Sequence, residues 1–306
     1  MRLDLALTKI LHQYSRSHIK ILLLNKNVKI SNKIITNPSY KVKLGEVYSI
    51  CVLKNITLSY EPQNIPLNII YEDKHLLVIN KIAGIVTHPA PGNQNNTLVN
   101  ALLHHTKNKL STLQENNRQG IVHRLDKDTS GLLIVAKNNQ THANLAKQFK
   151  EHSIHRKYYA IVWGVPHNQI IKGYITRHKI NRKKLVLNLM QKGKYSETYI
   201  NLKKNYGICS LIECTLKTGR THQVRVHLNS IDSPLIGDKL YKKNNTKKYG
   251  KDKKNLNKYL FLKNFQRQAL HAATIGFKHP ITGKRLNFNT DLPKDMLELL
   301  TYISKY

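Results

Sequence analysis

The N-terminal part of the chain carries an apolar pattern that changes from helical to extended spacing. Leucine and isoleucine recur at helical intervals from Leu3 to about Tyr14, and the pattern resumes after Ser15 or Ser17, either of which can cap a second helix. Short apolar segments between polar turn residues then predict three strands, at residues 28–30, 34–36 and 47–52. Together these elements predict a small α/β unit over residues 1–60.

A second region, residues 67–306, contains many strand-like apolar segments and few helices. The polar stretch 54–68, with two prolines, predicts a linker before it. We predict strands at 69–71, 76–79, 158–163, 185–189, 198–202, 208–215, 224–227 and 268–277, and strand, loop and strand over 121–137. We predict helices at 97–105 (capped by Thr97), 141–151 and 294–303, and a mobile loop at 239–258. This order indicates an α+β body and disfavours a doubly wound sheet.

The charge balance points to a polyanionic partner. Lys and Arg total 51 against 17 Asp and Glu, a formal net charge of +34. RNA, DNA or an anionic membrane surface would each fit, and compositional drift toward Lys, Asn and Ile is a further explanation; we favour nucleic acid. Basic side chains crowd the helix–strand region, where phosphate contacts are favoured over a merely solvated basic face: Arg16, His18, Lys20, Lys26 and Lys29.

The cysteine, histidine and hydropathy patterns indicate the cellular compartment and argue against disulfides and metal sites. The three cysteines form no CxxC pair, and the sixteen histidines have no carboxylate or thiol partner at ligand spacing. We therefore expect no disulfide, no metal site and a reducing compartment. The N-terminus lacks the apolar core of a signal peptide, and the longest apolar run, 21–24, is too short to cross a bilayer. These features predict a cytoplasmic protein without a membrane partner.

The segment 120–137 is the strongest candidate for a reactive site. Two apolar segments flank the polar loop HRLDKDTSG, and a loop held between buried strands can position a reactive group. The loop offers a base, His123, two cations, Arg124 and Lys127, and the carboxylates Asp126 and Asp128. On residue types alone, Asp126 is a nucleophile, a general base or half of a structural ion pair with Arg124.

HRLDKDTSG resembles the signature loop of the large-subunit rRNA pseudouridine synthases, in which the aspartate of HRLD is catalytic. Five further segments resemble that family in the same order, and they cover most of the chain: NKIAGIVTHPAPG, RKYYAIVWG, LKTGRTHQVRVHL, SPLIGDKLY and RQALHA. The N-terminal unit is similar to the α-L RNA-binding module of the ribosomal protein S-four type. The resemblance implies that residues 67–306 form a catalytic domain with a mixed, mainly antiparallel sheet.

The resemblance also implies a reaction: isomerisation of uridine to pseudouridine, without a cofactor, in a stem-loop of large-subunit (23S) ribosomal RNA. It makes Asp126 the covalent catalyst, Tyr158 a ring that stacks on the uracil, and Arg225 the counter-charge of Asp126. Arg124 would fill the space that the extruded base leaves, and Lys127 would contact phosphate or have a structural role. We expect a monomer that acts on free rRNA or on a pre-ribosomal particle.

Two other functions stay open on the sequence. One is a sister synthase that acts on other rRNA or tRNA uridines, and the other is a non-catalytic ribosome-assembly protein that binds RNA. Two positions depart from the family pattern: Ile82 stands where proline is usual, and Ser233 stands where histidine is usual. In the predicted strand 224–227, Arg225 lies between two valines, so it would point away from the core if both valines face it.

Overall fold

The computed structural model describes residues 1–11, 14, 16–51, 61–89, 93–113, 119–242 and 253–305. The chain divides into two compact units, residues 1–59 and 60–306. None of the helices in the described ranges has the length and apolar character needed to cross a bilayer.

The N-terminal unit combines two helices with a small antiparallel sheet. Its elements are α1 (Leu3–Ile10), α2 (Arg16–Leu24), β1 (Val28–Ile30), β2 (Lys33–Ile34) and β3 (Tyr48–Ile50), and the strand order is β2-β1-β3. Leu3, Leu7, Ile19 and Leu23 pack with Val28 to form its core. The predicted α/β unit is confirmed, although α1 ends at Ile10, before Tyr14. Of the two proposed caps, Ser15 lies outside the described residues and Ser17 lies inside α2.

The C-terminal unit contains ten strands and five helices in its described part. The strands are β4 (Ile69–Glu72), β5 (Leu76–Lys81), β6 (Ser130–Ala136), β7 (His155–Trp163), β8 (Gln169–Arg177), β9 (Leu185–Asn188), β10 (Lys194–Asn205), β11 (Cys209–Leu216), β12 (Leu270–Lys278) and β13 (Arg285–Asn289). The helices are α3 (Leu98–His105), α4 (Asn139–Lys150), α5 (Gln223–Ser230), α6 (Lys253–Lys263) and α7 (Lys294–Lys305).

The ten strands form one sheet in the order β4-β5-β6-β12-β7-β11-β10-β8-β9, with β13 paired to β12. In the described strands, β6 and β12 form the one parallel pair and every other pair is antiparallel. The predicted α+β class with a mixed, mainly antiparallel sheet is therefore confirmed. Every residue of β6 is buried, because apolar side chains cover both faces at the centre of the sheet.

Several predicted elements were wrong. Residues 224–227 belong to α5 and not to a strand, so the argument from alternating side chains does not apply to Arg225. Gln223 to Leu228 are all buried, which removes the polar face by which a helix is recognised in sequence. The strands β8 and β13 were missed, since lysine and glycine interrupt the apolar alternation of the first and polar residues dominate the second.

Two predicted loops also need correction. The predicted mobile loop at 239–258 ends in helix α6, which begins at Lys253, and residues 243–252 lie outside the described residues. Near the candidate loop, Ile121 forms an isolated bridge to Val135 and no regular strand. The HRLD loop therefore follows irregular backbone and leads into β6.

Candidate active site

The loop that carries Asp126 is fixed by hydrogen bonds to four successive backbone carbonyls. A carbonyl oxygen that accepts a donor cannot reorient without losing the bond, so four in a row immobilise the backbone. The carbonyl of Leu125 accepts from the Thr87 hydroxyl (2.9 Å), and that of Asp126 accepts from the Thr129 N–H (3.1 Å). The carbonyl of Lys127 accepts from both the Lys81 ammonium (3.0 Å) and the Gly84 N–H (2.9 Å). The carbonyl of Asp128 accepts from the Arg267 guanidinium (3.2 Å).

Lys81 is the buried member of this set of donors, with 2% of its surface exposed. Its Nζ donates to three carbonyls, those of Ile82 (2.8 Å), Ile85 (3.1 Å) and Lys127 (3.0 Å). Burial lowers the pKa of Lys81 to about 7, although the two carboxylates of the loop oppose the shift. Lys81 thus ties the segment after β5 to the HRLD loop. It also holds the carbonyl of Ile82, whose side chain is exposed where the family has proline.

The end of the loop packs closely against the neighbouring strand. Gly131 has φ +118°, and a Cβ there would overlap the backbone of Ala272 in β12. Only glycine fits both requirements, because other residues resist this backbone conformation and carry a Cβ. Thr129 accepts a hydrogen bond from the amide of Gln268 at 2.8 Å, which ties the loop to the segment before β12.

Helix α5 places Arg225 next to Asp126. The helix starts after His222, whose left-handed φ of 55° turns the chain sharply out of the KTGRT segment. Gln223 holds this turn: its Oε1 accepts from the Thr218 hydroxyl (2.7 Å) and the Arg220 N–H (2.9 Å). Its amide donates to the Glu197 carbonyl at 3.0 Å. The start of α5 is therefore anchored to β10.

Arg225 joins two carboxylates. Its Nη1 donates to Asp126 Oδ2 at 2.8 Å, while its Nε and Nη2 donate to the two carboxylate oxygens of Asp238 at 2.7 and 3.0 Å. The Asp238 side chain is fully buried, Arg225 is 8% exposed and Asp126 is 17% exposed. A bidentate pair fixes the plane of a guanidinium, so Asp238 aims the remaining N–H of Arg225 at Asp126.

The charges of this trio reinforce one another. Burial alone would lower the pKa of Arg225, but hydrogen bonds and attraction from Asp238 and Asp126 outweigh it and raise the pKa. Burial alone would raise the pKa of Asp238, and Arg225 reverses this effect and lowers it. The guanidinium is therefore permanently charged, and Asp126 has a fixed cation beside it. This pairing replaces the Asp126–Arg124 ion pair that the sequence left open.

Asp126, Arg225 and Tyr158 line one cavity of about 340 Å³. This lies within the usual size range of small-molecule sites. Tyr158 lies on β7, and its pKa is raised first by burial and then by the negative charge of Asp126. The phenol is thus neutral in the resting site, which favours contact of its ring with a base over proton abstraction.

His222 and Tyr241 extend the site beyond the predicted residues. The His222 Nε2 lies 3.7 Å from Asp126 Oδ2, and its Nδ1 lies 3.0 Å from the Tyr241 hydroxyl. The ring of Tyr241 lies under the guanidinium of Arg225, 5.1 Å from it. Sequence reasoning missed both, and it missed the role of Asp238. Asp238 and Tyr241 lie in SPLIGDKLY, a segment recognised as family-like but given no role.

Three other residues of the HRLD loop differ in exposure and in role. Arg124 is exposed and lines the cavity beside Asp126, and Lys127 is exposed. His123 accepts a hydrogen bond from the Ile134 N–H at 2.9 Å, so its role is structural. Burial and the charge of Arg156 lower the pKa of His123 to about 3, which keeps it neutral.

The predicted RNA-binding residues of the N-terminal unit differ in their exposure and in their pairing with other residues. Arg16 is half-exposed and pairs with the fully buried carboxylate of Asp4 at 2.9 Å. Lys20 is partly exposed, and the side chain of His18 lies outside the described residues. Arg16 therefore has a structural partner, which leaves part of its guanidinium open to solvent.

Residues 75–230 match the sequence pattern of RNA pseudouridylate synthases, and residues 1–47 match the S4 domain. The chain belongs to the RNA pseudouridylate synthase family. The match includes Asp126, Tyr158 and Arg225 of this synthase, whereas Asp238 lies outside it. The predicted family and the predicted N-terminal module are confirmed.

Two curated relatives of the synthase share a name. The synthase is 46% identical to the ribosomal large subunit pseudouridine synthase D of Zymomonas mobilis, over 96% of this chain and 91% of the relative. It is 41% identical to the protein of the same name in Blochmanniella floridana, over 100% and 95% of the two chains. The structure of human RNA pseudouridylate synthase domain containing 4 has the same fold, with a TM-score of 0.59, 23% identity, and coverage of 78% and 93%.

Proposed function

We propose that this synthase converts specific uridines of large-subunit (23S) ribosomal RNA to pseudouridine, with Asp126 as the covalent catalyst. The names of its relatives support the substrate class, and family membership supports the reaction. The observation that carries the assignment of roles is the Asp126–Arg225 pair, at 2.8 Å, inside a cavity that Tyr158 also lines. A structural ion pair would not need to face a cavity of nucleotide-binding size.

The reaction is an isomerisation, so it consumes no co-substrate. The N1–C1′ bond of uridine breaks, the detached uracil turns, and a C5–C1′ bond forms. The proton of C5 leaves, and N1 gains one, so atoms and electrons balance without an oxidant or reductant. In our proposal the Asp126 carboxylate forms a bond to the nucleoside during cleavage and is released at the end, which divides one difficult step into easier ones.

The other site residues would hold the base and the vacated stack. A uridine in folded RNA must be extruded to reach Asp126, which costs a few kcal/mol and is easiest for an unpaired base. A stem-loop is accordingly the proposed substrate. The neutral ring of Tyr158 would contact the uracil, and the exposed guanidinium of Arg124 would stack where the base had been.

The rest of the molecule would hold the flanking RNA. We assign residues 1–60 to the RNA-binding domain and 67–306 to the catalytic domain, with Arg16, His18, Lys20 and Lys127 as phosphate contacts. A net charge of +34 supports strong, salt-dependent attraction to RNA. We propose that the synthase acts in the cytoplasm as a monomer.

The decisive test is Asp126→Asn, which keeps the shape of the side chain and removes its charge. We expect no detectable pseudouridine in transcribed large-subunit rRNA by primer extension, together with unchanged RNA affinity in a filter-binding titration. Asp128→Asn is the matched control, since it removes the same charge two residues away from the Arg225 pair.

Two results would contradict the proposal. Pseudouridine formation by Asp126→Asn would remove the assigned catalyst. Failure of the wild-type protein to form pseudouridine in large-subunit rRNA, while it modifies another RNA, would overturn the substrate.

A further inference from the structure

Arg156 is a buried cation in the active-site cavity that pairs with no carboxylate in the described part of the chain. It is 6% exposed and lies two residues before Tyr158, on the same buried face of β7. No hydrogen bond of its guanidinium to a described residue is found, and its Nε is buried without a partner. Burying a charge without a counter-charge is costly, so this arrangement calls for an explanation.

The surroundings of Arg156 leave room for its guanidinium, but no described carboxylate forms an ion pair with it. The ring of Phe149 lies 5.5 Å from the guanidinium, a contact that offsets only part of the cost. A Cβ at Gly219 would overlap Nη1, so the side chain fits because Gly219 has none. Burial lowers the pKa of Arg156, and the nearby charge of Arg220 adds to this effect. The site is thus shaped around a cation that lacks an anion.

The lining of the cavity shows what kind of anion would fit. The cationic side chains that line it are Arg124, Lys150, Arg156, Arg220 and Arg225, against the single carboxylate of Asp126. Arg225 is already shared between two carboxylates, and the Nε of Arg220 donates to the Tyr195 carbonyl at 2.9 Å. Arg156, which shares this cavity with Asp126, is therefore the buried cation that has no hydrogen-bonding or ion-pair partner among the described residues.

We propose that Arg156 binds a phosphodiester of the RNA next to the extruded uridine. The inference rests on the proposed function, because it takes the nucleotide at Asp126 as the ligand of this cavity. A guanidinium presents two parallel donors to phosphate, and phosphate contacts fix register without reading sequence. The RNA substrate would supply the anion that Arg156 lacks, so the burial cost of the guanidinium is relieved only when RNA is bound.

The test measures the salt dependence of binding of a hairpin RNA that contains one uridine modified by the wild-type synthase. For Arg156→Gln we expect the slope of log affinity against log salt to become shallower by about 0.7 to 0.9, the value of one phosphate contact. In single-turnover assays we expect the half-saturating enzyme concentration to rise roughly 10- to 100-fold, with little change in the maximal rate.

Lys157→Gln is the matched control. Lys157 is the next residue of β7, lies on the opposite face and pairs with Glu213 at 3.3 Å. It removes one positive charge from the same strand outside the cavity, so we expect its slope to stay nearly unchanged. An Arg156→Gln slope equal to that of the wild type would overturn the proposal.

A second arm identifies the phosphate. A series of hairpin RNAs carries one methylphosphonate each, at a different linkage flanking the target uridine, so that each RNA lacks one phosphate charge. At the linkage that Arg156 contacts, this replacement should weaken binding by the wild type. Arg156→Gln should be insensitive to the same replacement, since the two changes remove one interaction. Additive losses at every linkage would contradict the assignment.

Gly219→Ala provides an independent variant in case Arg156→Gln does not fold. It keeps every charge but forces Nη1 to move, and the flexible end of an arginine can move at small cost to stability. We expect weaker RNA binding at an unchanged melting temperature, whereas unchanged binding would overturn the proposal. Pseudouridine formation by the wild type is scored in the same experiment, so failure of the proposed function is distinguished from failure of the Arg156 contact.

Discussion

At the scale of single residues, the geometry of Asp126 depends on the fully buried side chain of Asp238. Arg225 could point its guanidinium in several directions, and the bidentate bond from Asp238 selects one of them. Asp238 is itself held by the backbone N–H groups of Leu240 and Tyr241, at 2.9 and 3.0 Å. We interpret Asp238 as a positioning residue, because it acts on Asp126 only through Arg225.

Asp238→Asn should separate positioning from binding. The amide retains an acceptor oxygen but loses the charge-assisted bidentate pair, so Arg225 would no longer be held in one plane. We expect a loss of roughly 100-fold in the single-turnover rate at saturating enzyme, with RNA affinity nearly unchanged. We also expect the free energy of unfolding to fall by about 3 kcal/mol, since a buried charge loses its partner.

Glu213→Gln is the control for Asp238→Asn, because Glu213 pairs with Lys157 on the far face of β7. Urea denaturation and rapid-quench kinetics on the same preparations measure stability and rate. A variant that binds RNA poorly but reacts at the normal rate would contradict the positioning role.

At the scale of elements, the site is built where three segments meet. The HRLD loop leads into β6, α5 begins after the turn at His222, and β7 carries both Tyr158 and Arg156. The HRLD loop and the turn before α5 have no regular structure of their own and are held by hydrogen bonds, most of them from side chains. The carbonyls of residues 125–128 and the turn held by Gln223 are the clearest cases. Catalysis should therefore be sensitive to the donors that hold the loop.

Lys81→Met tests this dependence. Methionine fills a similar volume but leaves the carbonyls of Ile82, Ile85 and Lys127 without the ammonium donor. We expect the free energy of unfolding to fall by about 3 kcal/mol and the single-turnover rate to fall by at least roughly 10-fold, because the loop can then move. RNA affinity should change little, since Lys81 is buried.

Lys137→Met is the matched control. Lys137 also donates to a backbone carbonyl, that of Asp73 at 2.7 Å, but it follows the end of β6 that lies away from the loop. Lys137→Met should lower the free energy of unfolding without lowering the single-turnover rate. Equal effects of both variants on the rate would show that general destabilisation, and not the loop, is responsible.

At the scale of the whole molecule, buried neutral histidines couple stability to pH. His227 and His271 are almost completely buried, and burial is the main cause that lowers the pKa of each to about 4. In the unfolded chain both take up a proton below about pH 6.5. Between about pH 6.5 and 4 the unfolded state thus binds more protons than the folded state, so stability falls as the pH falls through this window.

We expect the free energy of unfolding to drop by about 1.4 kcal/mol per pH unit for each of the two histidines between pH 6.5 and 4.5. Above pH 6.5 they should contribute no pH dependence. Urea titrations at pH 7.5, 6.0 and 5.0 measure this. His227→Asn should lower stability at pH 7.5 and reduce the drop toward pH 5.0, while the exposed control His167→Asn should leave the drop unchanged. An undiminished drop in His227→Asn would contradict the assignment.

Local sequence patterns were sufficient to predict the elements with clear periodicity and the residues inside distinctive motifs. The amphipathic helices α1 and α7 follow from local spacing, because one buried face leaves a readable period. The strands β5, β6 and β7 follow from short apolar segments between polar residues. Asp126, Tyr158 and Arg225 were selected from motif resemblance, and the structure brings all three to one cavity. Whether they perform the assigned roles stays a prediction.

Tertiary structure alone decided what surrounds those residues. Helix α5 was read as a strand because it is buried on all sides, which erases the polar face that marks a helix. Asp238, His222 and Arg156 became significant only when the sheet brought distant segments together. Ion-pair distances and unmatched buried charges depend on which segments meet in space, and local sequence patterns carry no record of that.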